Sequence, residues 1–230
     1  MQAVITPMTT VISMAFRRRE QALHEIARIR AAYFQIYIVH QVWDWKEGTG
    51  RATSGVDFLT HTDEVLSEMV ALGDELRRFL KLPNFSMTHH RVMRSGRREA
   101  AEITEVGYHL LDSVCTKRIP RIAELSEYLK SIGLSSSELS RVRQYELFIV
   151  ESVEKLRQFK TYRTPQAQRA FGRIFTVLSP PFYAPSFAQL AMDLKSLPAG
   201  IIFSLMTPLC LSALLESLQA LEDPFVGWVG

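Results

Sequence analysis

Two uncharged stretches stand back to back near the end of this chain, Ile174 to Met192 and Ser196 to Leu215, separated only by Asp193, Leu194 and Lys195. Each is close to the roughly 20 residues that an α-helix needs to cross the apolar core of a bilayer. They run into Leu221-Glu222-Asp223-Pro224-Phe225, where charge returns. A chain with such an ending either buries a helical hairpin in a soluble core or places it in a membrane, and stretch lengths this near to spanning size favour the membrane. Pro180, Pro181, Pro185 and Pro208 lie inside the stretches. A soluble helix would break there, whereas a membrane helix keeps a kink if its neighbours satisfy the freed carbonyls.

The remainder is not apolar enough to be all membrane, because mean hydropathy over the 230 residues is near zero. That length allows one sizeable domain or two small ones. Basic residues number 27 against 24 acidic ones and are interleaved with them, leaving a net charge of +3. A nucleic-acid partner gains no support from that pattern. Cys115 and Cys210 lie far apart in different segments, so a disulfide framework is not expected.

Met1 to Phe16 is uncharged and precedes Arg17-Arg18-Arg19-Glu20. It has neither the charged leader nor the small-residue cleavage pattern of a secretory signal. Basic residues directly after an apolar segment are the usual cytoplasmic flank of a membrane helix. A second basic group, Arg157, Lys160, Arg163 and Arg169, precedes the Ile174 stretch. Too short to be a full span, Met1 to Phe16 fits half of one, so the chain reads as the remainder of a longer protein.

Between these ends the periodicity is helical. From Phe16 to Trp43 or Trp45, Leu23, Ile26, Ile29, Tyr33, Phe34 and Tyr37 keep mostly three-to-four spacing, and Gly48 to Gly55 ends the pattern. Asp57 to Leu82 is the cleanest amphipathic stretch, with Phe58, Leu59, Val65, Leu66, Met69, Val70, Leu72, Leu76, Phe79 and Leu80 recurring at helical spacing. Further helices are expected over Arg98 to Thr116, then from beyond Pro120 to Gly133, and from Ser135-Ser136-Ser137-Glu138 to Arg163-Thr164-Pro165. The expected fold is therefore all-α: a helical membrane protein with a cytosolic amphipathic helix bundle and a C-terminal transmembrane hairpin. Its regions are residues 1–45, the end of a membrane helix with its cytosolic extension, 46–165, the bundle, and 166–230, the hairpin.

Catalytic patterns are weak. The glycine-rich run Gly48 to Gly55 lacks the Lys-Ser or Lys-Thr ending of a phosphate-cradling loop. Adjacent His89 and His90 would point apart on a helix rather than chelate one ion as an i, i+4 pair can. His61, Asp63 and Glu64 read as the first turn of a helix, where acidic side chains suit the helix dipole. An enzyme is not expected, and no catalytic, cofactor-binding or metal-binding residue is assigned.

Three segments carry a family resemblance. Val153-Glu154-Lys155-Leu156-Arg157-Gln158-Phe159-Lys160-Thr161-Tyr162-Arg163-Thr164-Pro165 resembles the charged helix, ending in Thr-Pro, that leads bestrophins into their third membrane helix. Leu214 to Phe225, closing in Glu222-Asp223-Pro224-Phe225, resembles the acidic Pro-Phe signature after their fourth. Pro7 to Arg19 is similar to the end of their pore-lining second helix, while Trp45 to Gln144 is largely unmatched. The resemblance implies a homo-pentameric anion channel in the lipid bilayer, passing chloride or other small anions through a neck that selects by dehydrating the ion. Thr6, Thr10 and Met14, spaced by four and so on one helical face, are the candidate neck residues. Bestrophin necks commonly carry large apolar side chains, whereas this face offers two threonines. Calcium, bound in animal members by acidic residues after the Pro-Phe signature, has no such clasp in Val226-Gly227-Trp228-Val229-Gly230. The family's first membrane helix has no counterpart either. The competing expectation is a membrane-anchored helical scaffold that binds protein partners and conducts nothing.

Overall fold

The computed structural model describes residues 2–42, 57–83, 93–161, 166–221 and 223–225. Its elements are helical throughout, with no strand among the described residues. Residues 21–158 form one compact unit, and the described parts of 1–20 and 159–230 form another.

Helix α1 runs without a break from Gln2 to Val42. Among its described side chains the buried ones are Ala22, Glu25, Ile29, Ala32, Ile36 and His40, a stripe of threes and fours that faces the core of the 21–158 unit. The uncharged start, expected as the end of a membrane helix, and the amphipathic pattern from Phe16 onward form one continuous helix. Helix α2 spans Phe58–Lys81 and is capped by Asp57, whose Oδ1 accepts the Leu59 N–H at 3.1 Å. Val65, Met69, Leu72, Leu76, Phe79 and Leu80 are buried along it.

Helix α3, Arg94–Asp112, does not stop at Pro120. It continues through a single π-turn, Ser113–Arg118, into α4, Ile119–Ile132. Proline has no N–H and its ring collides with the carbonyl four residues back, so an unbroken α-helix across Pro120 would be strained. The wider turn, in which the Ile119 N–H reaches the Val114 carbonyl, absorbs the misfit and keeps the chain helical. It also carries Arg118 to α2, where its guanidinium donates to Glu68 at 2.9 Å and to Glu75 at 3.0 and 3.1 Å.

Gly133 ends α4 with a φ of 126°. The Leu134 N–H bonds the Leu129 carbonyl and the Gly133 N–H the Lys130 carbonyl, which is the double closure of a Schellman turn. Leu134 then packs with Leu129 and Leu139, against Val39 and Ile132. Helix α5, Ser136–Thr161, starts where the serine run predicts: the Ser135 Oγ accepts the Glu138 N–H at 3.4 Å. Its buried stripe includes Leu139, Val142, Ile149, Val153 and Leu156.

In the other unit, α6 (Gln166–Asp193) and α7 (Leu197–Leu221) pack against each other as a hairpin. The connection lies at the Asp193-Leu194-Lys195 interruption, and Lys195, at φ 48°, takes the left-handed place usually filled by glycine. Pro180, Pro181 and Pro185 lie within α6 and Pro208 within α7 without ending either helix.

Candidate functional site

Helix α7 is long and apolar enough to cross a membrane. The window Leu197–Leu214 has a mean hydropathy of 1.8, and only 11% of it is buried. A soluble core helix of that composition would be covered; here Leu197, Ile201, Ile202, Leu205, Met206 and Leu209 are all exposed. Two spans were expected, and among the described residues α7 alone is long and apolar enough to be one. Serine, threonine, tyrosine, glutamine and three prolines lower the apolarity of the Ile174 to Met192 stretch.

The two helices of the hairpin approach closely at Gly200. A Cβ placed there would lie 2.6 Å from the Ala191 Cβ and 3.3 Å from the Phe187 carbonyl oxygen. Glycine opposite alanine lets the two backbones meet where no larger side chain fits.

Polar contacts in the same unit link the segments that carry the family resemblance. The Arg18 guanidinium, in the basic triplet of α1, donates to the Phe159 carbonyl at 2.9 Å. One residue on, the Lys160 ammonium donates to Asp223 Oδ2 at 2.7 Å, and the two side chains are only 8% and 11% exposed. The second Asp223 oxygen accepts the Phe225 N–H at 3.0 Å. Aspartate bonding the amide two residues ahead makes an Asx-turn, and the intervening Pro224 has no N–H to satisfy and a fixed φ suited to the turn. The Phe225 ring centre lies 6.0 Å from the Lys160 Nζ, at the outer limit of a cation–π contact. Asp223, Pro224 and Phe225 thus act as one latch on the end of α5. Glu222, Thr164 and Pro165 lie outside the described residues.

Of the candidate neck residues, Thr10 and Met14 are exposed on α1, Met14 by 49%. Thr6 belongs to the same helix, and its side chain lies outside the description.

Periodicity did not reveal the buried histidine pair of the 21–158 unit. His40 Nδ1 lies 2.9 Å from His61 Nε2, both residues are buried, and Tyr128 of α4 packs its ring 5.6 Å from that of His61. Burial, with the neighbouring His61 as a lesser cause, pushes the His40 pKa down to about 3. Desolvation also lowers His61, partly offset by Glu64. No group of three or more His, Cys, Asp or Glu side chains that could hold a metal occurs among the described residues. Cys115 and Cys210 are free thiols, and burial followed by the nearby Glu154 raises the Cys115 pKa.

No protein-family model, no curated protein and no solved structure matches this chain.

Proposed function

We propose that this chain is a bestrophin-like integral membrane protein, a subunit of an oligomeric anion channel whose N-terminal helix lines the conducting neck. The observation that carries the reading is that residues of the three resembling segments meet in one compact unit, Arg18 on the Phe159 carbonyl and Lys160 on Asp223. An exposed apolar helix of spanning length in that same unit supports its placement in lipid. Uncharged Thr10 and Met14, followed by a basic triplet, suit a path for anions with an attractive mouth.

Two measurements test the reading in sequence. Alkaline carbonate should leave the protein in the membrane pellet; release into the supernatant would exclude every membrane placement. Purified protein in liposomes should then dissipate a chloride gradient faster than empty liposomes do. Retention in the pellet with no flux at any of several pH and calcium conditions would replace the channel with the membrane-anchored scaffold.

A further inference from the structure

His40 and His61 join two helices, α1 and α2, that lie on either side of residues 43–56 in the sequence. Their ring-to-ring bond sits on a second contact, in which the Thr62 hydroxyl donates to the His40 carbonyl at 3.3 Å. The His40 Nε2 is buried with no hydrogen-bond partner among the described residues. The same holds for the Tyr33 hydroxyl, two turns earlier on α1. Around the pair, α2 presents Glu64, and α4 presents Tyr128 and the Arg121 guanidinium that already engages the Glu64 carboxylate. No carboxylate is hydrogen-bonded to either ring among the described residues.

A bond between two neutral imidazoles requires one facing nitrogen to donate and the other to accept. One added proton leaves a cation among buried side chains, while the Glu64 carboxylate is engaged by Arg121. A second makes both facing nitrogens donors, so the bond becomes a repulsion.

We propose that His40 and His61 form a proton-sensitive clasp: acidification parts the pair and frees the C-terminal end of α1 from the first turns of α2 while the α5 core stays folded. The range from pH 8 to pH 5 isolates it, because ordinary carboxylates, near pH 4, stay ionised throughout.

Hydrogen exchange on the full chain, corrected for intrinsic rates, tests the clasp. An opened His40 with an ordinary pKa near 6.5 and a closed one near 3 predict an opening equilibrium about thirtyfold larger at pH 5 than at pH 8. That change should appear in amides 36–42 and 61–66 and be absent from 149–156. The double variant His40→Gln, His61→Gln keeps an amide-to-amide bond but nothing that titrates, with His24 and His109 left in place as controls. It should show no change over the range. Equal exchange in the wild type at both pH values, or the same pH response in the double variant, overturns the proposal. Should that variant fail to fold, imidazole NMR of the wild type decides: charging of the His40 ring only well below the ordinary histidine pKa supports the clasp, and charging near that ordinary pKa with unchanged exchange overturns it.

Discussion

Glu25 shows how one side chain can tie the 21–158 unit together. It is buried on α1, where its Oε2 accepts the Ser152 hydroxyl at 2.7 Å and its Oε1 the Lys155 ammonium at 3.0 Å, both from α5. Burial by itself would raise the carboxyl pKa, but the bonds from Ser152 and Lys155, with Arg28 nearby, outweigh it and the net shift is downward. A carboxylate whose pKa is lower in the folded state adds stability above its unfolded pKa and loses it as pH falls through the folded value. Glu25→Gln should therefore lower the melting temperature clearly at pH 7, and the gap to wild type should close as the pH is taken below the ordinary glutamate range. Thermal melts of both proteins across pH check this; a gap independent of pH would mean the pairing is not what the residue contributes. At Asp223 the prediction differs, because the partner is nearly buried as well. Removing one member of a largely buried pair strands the other charge, at a cost of roughly 3 kcal/mol. Asp223→Asn should destabilise the hairpin unit by about that amount, and Lys160→Met combined with it should recover part of the loss, a difference that a double-mutant cycle measures directly.

Among the elements, the hairpin and the α3–α4 junction show what could and could not be read from residue order. The helical stripes of α2 and α5, the serine start of α5 and the Gly133 stop were legible, because periodicity and capping are local properties. The passage across Pro120 was not: a proline predicts a break, and only the surrounding packing favours a π-turn over a kink. Nor was the histidine pair legible, since His40 and His61 are joined by tertiary contact and not by spacing. Of the latch, the sequence offered Asp223, Pro224 and Phe225 as a signature but did not indicate Lys160 as its partner. Gly200 is a further element-scale feature with a direct test. Gly200→Ala forces a methyl against Ala191 and should destabilise the α6–α7 hairpin by about 1–3 kcal/mol, the usual cost of overpacking. Ala191→Gly in the same chain removes the opposing methyl and should restore much of the melting temperature. Failure of the second change to rescue the first would show that the helices do not cross at this point.

For the whole molecule, the issue is whether the exposed face of α1 lines a path for ions. Thr10 and Met14 share that face, and neither side chain carries charge. An anion crossing a narrow, partly dehydrated neck is held by weak polar contacts, so a fixed negative charge there acts on it at close range. Two like charges about 4 Å apart repel by roughly 4 kcal/mol at an effective dielectric constant of 20, and salt reduces but does not abolish this. Met14→Glu should thus reduce chloride flux through reconstituted protein at least about tenfold, which needs only about 1.4 kcal/mol of that repulsion. The same substitution should leave reconstitution efficiency and melting temperature close to wild type, because Met14 is half exposed and packs in no described core. Met14→Leu keeps the face apolar and should conduct nearly as wild type. A Glu variant that conducts chloride as well as the parent, in liposomes where the parent is active, would move the neck away from Met14 and from the helical face it shares with Thr6 and Thr10.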